Sequence, residues 1–240
     1  MAGFVASTYM RGVRFGFVAS TLLAQVDASV GGKNGVNFGG YKNMVGVFNQ
    51  PRFVICDPYV LHTLPQKEVR CGFSEIVKHA AIADKNLFAY LETQYRQALS
   101  INTDVIEKLV YDSVVIKSDI VNKDEKEKGL RRKLNFGHTF GHAIEKTISV
   151  PHGEAVSAGM VMASALSVKM GHLPGRDADR LERLLENFGL PTRFQIEKKQ
   201  FIDALYKDKK REKDYIHFVL LNEIGHAFID EIPIKALEET

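Results

Sequence analysis

Between Ala155 and Val168 the chain carries no charged side chain, and almost every residue there is small or apolar. A helix from Glu154 to Met170 built from such residues has no polar face to offer water, so it is expected to be buried on most sides. This run, like the other long uncharged one from Phe15 to Val26, falls short of the roughly 20 residues that cross a bilayer. No transmembrane helix is expected, and the rest of the chain has to supply the walls around a buried helix.

The pattern supplies them. Pro65 suits a first helical turn, and Phe73, Ile76, Val77 and Ala80 follow at helical spacing. Asn86 to Leu99, Asp104 to Val121, Gly137 to Ile148 and Arg180 to Phe188 read as further helices, the last closed by Gly189 and Pro191. Ahead of them, Phe15 to Ser20 and Arg52 to Ile55 read as strands. The stretch between, with Ser29-Val30-Gly31-Gly32-Lys33-Asn34-Gly35 and Gly39-Gly40-Tyr41-Lys42-Asn43, reads as a long polar loop and so as a candidate ligand contact. After a charged loop from Lys207 to Lys213, Tyr215 to Leu221 and His226 to Ile229 read as a hairpin with a four-residue loop. The fold class is therefore a mainly α-helical C-terminal domain behind a short α/β N-terminal segment.

Composition excludes several functions. The 240 residues are 45% hydrophobic and 25% charged, as in an ordinary globular protein, and the net charge of +3 is too slight to draw nucleic acid or a membrane surface. Cys56 and Cys71 form no CxxC and no zinc-ribbon spacing, so neither a disulfide framework nor a thiolate metal site is expected, and a reducing, cytoplasmic location is the default expectation.

The chemistry gathers in Arg131-Arg132-Lys133-Leu134-Asn135-Phe136-Gly137-His138-Thr139-Phe140-Gly141-His142. On a helix starting near Gly137, His138 and His142 share one face a turn apart, and His152 follows where the next helix should begin. Three imidazoles this close suggest a metal or proton-transfer site, and a catalytic zinc would take a carboxylate from elsewhere as a natural completion. Glu75 stands among apolar residues on a predicted helix with Lys78 one turn away; it reads equally as a buried ligand or as half of a surface ion pair. His62, His172, His217 and His226 show no partner pattern, and His79 merely neighbours Lys78. Lys33, Lys42, Asn43, Arg131 and Asn135 offer the donors that hold phosphate and carboxylate, but no Walker loop and no GxGxxG is present.

Six blocks, in order, resemble one family. Leu22-Leu23-Ala24-Gln25-Val26-Asp27-Ala28-Ser29-Val30-Gly31-Gly32-Lys33, Lys42-Asn43-Met44, Thr63-Leu64-Pro65, Ser74-Glu75-Ile76-Val77-Lys78, Leu134 to Ala143 and His152-Gly153-Glu154-Ala155-Val156 are similar to the signature of the 3-dehydroquinate synthases. The likeness covers essentially the whole chain. It implies conversion of 3-deoxy-D-arabino-heptulosonate 7-phosphate to 3-dehydroquinate and phosphate in the shikimate pathway, with NAD and a divalent metal, zinc or cobalt, as cofactors.

The resemblance also implies roles. Glu75, His138 and His152 would hold the metal, which replaces the His138–His142 pairing that helical spacing suggests. His142, Lys78, Lys117, Asn135 and Arg131 would be catalytic. Asp27, Lys33, Asn43 and a lysine of the Lys209–Lys210 pair would bind substrate, and Arg11 would reach into a neighbouring subunit's site, implying a homodimer. Ser20, Thr21, Lys42, Val60, Leu61, His62 and Thr63 would be what this chain supplies to NAD. Residues 1–62 would be the remnant of a Rossmann-like domain, with about a hundred further residues expected ahead of Met1. Residues 63–240 would form the metal- and substrate-binding domain. An apolar patch is then expected around Phe4, Phe15 and Phe17. Two alternatives share these features: another sugar-phosphate cyclase, of inosose or valiolone synthase type, and an inactive remnant that binds metal without turnover.

Overall fold

The computed structural model describes residues 1–39, 41–206, 211–212 and 215–233, with Tyr41, Lys42, Arg211 and Glu212 described as backbone only. The chain opens on α1 (Ala2–Thr8), followed by β1 (Phe17–Ala19), β2 (Lys33–Phe38), β3 (Tyr41–Phe48) and β4 (Val54–Cys56). Seven helices follow: α2 (Gln66–Ala83), α3 (Lys85–Leu99), α4 (Thr103–Lys123), α5 (His138–Ile148), α6 (His152–Lys169), α7 (Gly175–Asn187) and α8 (Lys198–Tyr206). The strands β5 (Arg211–Glu212), β6 (Tyr215–Glu223) and β7 (His226–Pro233) close the described chain as an antiparallel sheet. This is the mainly helical domain with a short α/β segment that the pattern predicts.

The two expected strands near the N-terminus are β1 and β4, which pair in parallel with Val18 opposite Ile55. The stretch between them is not the polar loop that its glycines suggest. It folds as an antiparallel hairpin in which Lys33 pairs with Phe48 and Val36 with Val45. Alternating valines carry the strands, and the Asn34 amide ties the hairpin's base by donating to the carbonyls of Gly32 and Asn49. Helix α7 begins at Gly175 rather than Arg180, because Pro174 has the extended backbone that precedes a helix. Helix α8, only 9 residues long, is too short for its period to stand out in the sequence. The final hairpin turns through only Ile224 and Gly225, since Gly225 takes a φ of +91°. Lys207, Asp208, Lys209 and Lys210 lie outside the described residues. Phe4, Phe15 and Phe17 are half-buried; exposed apolar side chains of this segment include Val18 and Ile55 on the β1–β4 pair, Phe53 beside it, and Phe38 and Phe48 on the hairpin.

Helix α6 lies at the centre, as its composition demands, with Ala155, Val156, Met160 and Ala163 buried and contacts to α2, α5, α7 and β6. Two of these contacts are backbone against backbone. A Cβ on Gly153 would lie 2.5 Å from Cys71 Cα on α2, and one on Gly159 would lie 2.0 Å from the Gly137 carbonyl oxygen and 2.7 Å from Gly141 N on α5. Only glycine lets the helices approach this closely. Phe73, stacked on Phe188 with ring centroids 4.5 Å apart, anchors the opposite side of α2. Among the described residues no helix is long and apolar enough to cross a membrane.

Replacing Gly159 with Ala should force α5 and α6 apart. Thermal and denaturant unfolding should show a loss of about 1–3 kcal/mol, typical of overpacking, and zinc affinity should fall with it because His138 begins α5. Unchanged stability and zinc affinity would contradict this packing.

Candidate active site

Three helices present the metal-ligand candidates. Glu75 lies inside α2 and is fully buried, His138 is the first residue of α5, and His152 the first of α6. Glu75 Oε1 is 3.8 Å from His138 Nε2 and 3.7 Å from His152 Nε2. Ligand atoms around a tetrahedral zinc at about 2.0–2.1 Å lie about 3.4 Å apart, so the two sides that meet at Glu75 are close to the span the ion requires. The remaining imidazole nitrogens are already directed: His138 Nδ1 faces the Phe136 carbonyl at 3.2 Å and His152 Nδ1 faces Glu145 Oε2 at 3.3 Å. Such partners fix which nitrogen is left for a metal. Glu75 Oε1 has no hydrogen-bond partner although it is buried, and that would cost about 1–3 kcal/mol unless a cation completes it. A second cluster, His142, Glu145 and His152, also brings three donors together. It shares His152, and Glu145 is already engaged with that histidine's Nδ1, so the buried, unpartnered oxygen favours the Glu75 set. The His142 ring sits 5.5 Å from His138 and 6.2 Å from His152 between centroids, on the margin of the triangle rather than within it.

Beside the triangle lies an array of buried charges. The second oxygen of Glu75 pairs with Lys78, one turn along α2, so the pair is buried and is not the surface bridge its spacing allowed. Asp27, in the wide helical turn Ala24–Ala28, receives Lys117 from α4 at 2.7 Å on Oδ1, and Lys117 also donates to the Asp27 carbonyl. Burial alone would raise the Asp27 carboxyl, but the ammonium groups of Lys117 and Lys78 outweigh it and hold it well below the usual carboxylate range. Burial lowers the Lys117 ammonium in turn, more than Asp27 restores it. His79 completes the array. Its ring is entirely buried, neither nitrogen has a hydrogen-bond partner, and Nε2 lies 3.9 Å from Asp27 Oδ1. Burial, reinforced by Lys78, pushes this imidazole well below its ordinary pKa.

The anion-holding candidates meet on a second side. Lys33, at the start of β2, and Asn135, at the end of the turn Leu130–Asn135, both donate to the carboxylate of Glu127. Arg131 is buried, and its two terminal amino groups donate to the carbonyls of Gly31 and Glu125. It therefore fastens this turn to the glycine pair ahead of Lys33. Ser20 and Thr21 follow β1, and Val60, Leu61, His62 and Thr63 lie in the turn Pro58–Thr63 after β4, so both groups sit at the carboxyl ends of parallel strands, where open α/β sheets bind dinucleotides. Gln25 ties the two ends by donating to the carbonyls of Ala19 and Asp57. Leu61 points into the core, so its side chain packs rather than faces a ligand. Asn43 and Arg11 are exposed, on β3 and on the turn after α1, apart from the triangle's three helices. The side chain of Lys42 and the whole of Lys209 and Lys210 lie outside the described residues. His79, Glu127 and Glu145 are functional candidates that the sequence reading missed. Glu145 follows His138 by two helical turns and was within reach of the periodicity; the other two carry no local signal.

A buried carboxylate facing two histidines, beside lysines paired with acids, is a donor set that a divalent metal could take, and solved structures of the same fold point to a class. The fold matches 2-epi-5-epi-valiolone synthase from Streptomyces hygroscopicus, solved with NAD+ and Zn2+ bound, with a TM-score of 0.91 and 27% identity over 99% of this chain and 68% of that one. It matches 2-deoxy-scyllo-inosose synthase, in complex with carbaglucose-6-phosphate, NAD+ and Co2+, with a TM-score of 0.89 and 26% identity over 99% of this chain and 69% of that one. These are cyclases of sugar-phosphate type. Within that class the sequence is more specific. Family models described as 3-dehydroquinate synthase N-terminal and C-terminal match residues 1–71 and 72–211. The 3-dehydroquinate synthase of Dehalococcoides mccartyi is 47% identical over 98% of this chain and 67% of its own length, and that of Nostoc punctiforme 44% identical over 100% and 68%. The chain belongs to the 3-dehydroquinate synthase family and spans about two thirds of the length of these relatives.

His79 gives a pH test of the charge array. Unfolded, its imidazole takes a proton below about pH 6.5, whereas the buried ring does not, so the unfolded state binds more protons there and stability falls as pH is lowered. Denaturant unfolding between about pH 5 and 7 should show a shallower pH dependence for His79→Gln than for the parent chain. Equal slopes would place the ring in a setting where it protonates normally.

Proposed function

We propose that the protein carries out the 3-dehydroquinate synthase reaction, turning 3-deoxy-D-arabino-heptulosonate 7-phosphate into 3-dehydroquinate and phosphate. The observation that carries this reading is the unpartnered Glu75 Oε1 facing His138 and His152, beside two buried lysines, in a chain of this family. Bound NAD would take up and return a hydride, and zinc or cobalt at Glu75, His138 and His152 would lower the pKa of a substrate hydroxyl. NAD and a divalent metal are supported by what the two solved cyclases hold.

The chain's own groups then divide the work. Lys33, Asn135 and Asn43, with Arg131 fastening the wall behind them, orient the phosphate and carboxylate and hold negative charge as it builds on oxygen. His142, on the margin of the triangle, is placed to accept or return a proton. Lys117, its proton held less tightly because of burial, and Asp27, kept ionised, form a buried donor and acceptor pair against the substrate's hydroxyls. Lys78 orients the Glu75 carboxylate by pairing with its second oxygen. Ser20, Thr21, Lys42 and the turn Val60 to Thr63 would line the NAD site, and Lys209 or Lys210 would add a phosphate contact. The reading also includes a division into residues 1–62 and 63–240, a homodimer completed by Arg11, and a cytoplasmic location.

Purified protein with zinc and NAD should release phosphate from the heptulosonate phosphate, and Glu75→Ala should reduce release to background. Turnover of an uncarboxylated sugar phosphate instead would favour an inosose or valiolone synthase. Zinc binding without turnover of either would favour the inactive remnant.

A further inference from the structure

We infer that Asp124 is a positioning residue that folds segment 124–131 into the wall of the anion site, an inference that rests on the reading of Lys33, Asn135 and Arg131 as that site. Helix α4 ends at Lys123, and the Asp124 amide still bonds the helical carbonyls of Ile120 and Val121. Beyond it the chain leaves the helix, and the Asp124 carboxylate collects amides of the loop that follows. Oδ1 accepts the Lys128 N–H at 3.0 Å, and Oδ2 accepts those of Gly129 at 2.8 Å and Arg131 at 3.0 Å. One side chain thus closes the loop through backbone amides alone. Glu127 stands inside that loop with a φ of +56°, a left-handed conformation unfavourable for glutamate, and from there meets Lys33 and Asn135. Arg131 stands at its end, with its backbone fixed by Asp124 and its guanidinium fixed to Gly31 and Glu125.

The arrangement links distant parts of the sequence. The loop reaches the β2–β3 hairpin and the residues flanking it three times: through Arg131 to Gly31, through Glu127 to Lys33, and through Glu125, which accepts from Gln50 at 3.0 Å. All three contacts require the chain to turn back sharply after α4, and the carboxylate of Asp124 is what holds that turn. Its bonds run to charged-group acceptors from backbone donors, the stronger kind of hydrogen bond. Without them the three amides are free to bond water, and Glu127 and Arg131 lose their shared frame.

The test compares the full parent chain with Asp124→Ala, Asp124→Asn and, as a surface-charge control, Asp119→Ala, by hydrogen exchange and by calorimetric binding of inorganic phosphate. For Asp124→Ala, amide exchange across 125–133 should rise about tenfold or more while α5 and α6 keep their protection, and phosphate affinity should fall about tenfold or more. Asp124→Asn, whose amide oxygen still accepts, should recover much of both, and Asp119→Ala should change neither. Unchanged exchange in the loop, exchange that rises equally through α5 and α6, or undiminished phosphate affinity in Asp124→Ala would each overturn the inference. Failure of the parent chain to bind phosphate would refute the anion-site reading itself, and the exchange data would then still decide whether Asp124 holds the loop.

Discussion

Backbone contact between α6 and its two neighbours sets the distance between the metal-ligand candidates. Gly153, pressed on Cys71 of α2, directly follows His152, and Gly137, which receives Gly159 of α6, directly precedes His138. Each contact therefore sits beside a ligand candidate. The third candidate, Glu75, lies one helical turn from Cys71 on α2. Because backbone rather than long side chains fixes the spacing, the three donor atoms converge without relying on rotamer freedom, which is the condition for a preorganised site. The rest of the bundle, from the Phe73–Phe188 stack to the buried face of α6, holds those contacts closed.

Convergence has an electrostatic consequence. Drawing α2, α4 and the Asp27 turn together buries Glu75, Lys78, Lys117 and His79 in one region, where unpaired charge is costly. The structure pairs Glu75 with Lys78 and Asp27 with Lys117. Buried ion pairs of this kind add little net stability compared with apolar packing, so their retention points to chemistry rather than to folding. What the pairing leaves over is informative: one oxygen of Glu75 turned toward two imidazoles, and a neutral His79 beside Asp27.

Much of this was legible in the sequence, and the gaps have physical causes. The uncharged run in α6 announced a buried helix, and His138 and His152 announced a site, because both depend on residue type at short range. Helical spacing alone paired His138 with His142; the choice of Glu75 as third ligand required the family likeness, since helix crossing brings residues together that lie more than sixty positions apart. Glycines at 31, 32, 35 and 39 disguised the hairpin as a loop, for a strand's signal lies in alternation that glycine dilutes. His79 and Glu127 were invisible because burial against Asp27 and contact with Lys33 are properties of the fold, absent from the residues' own neighbourhoods.

The claim on which the account stands is that one divalent ion sits between Glu75, His138 and His152. A crystal structure of the protein with zinc, with anomalous scattering recorded at the zinc edge, tests it directly. The account predicts a single strong peak within bonding distance, about 2.0–2.2 Å, of Glu75 Oε1 and the Nε2 atoms of His138 and His152. A peak held by His142, Glu145 and His152, or no bound zinc in a folded chain, would contradict it.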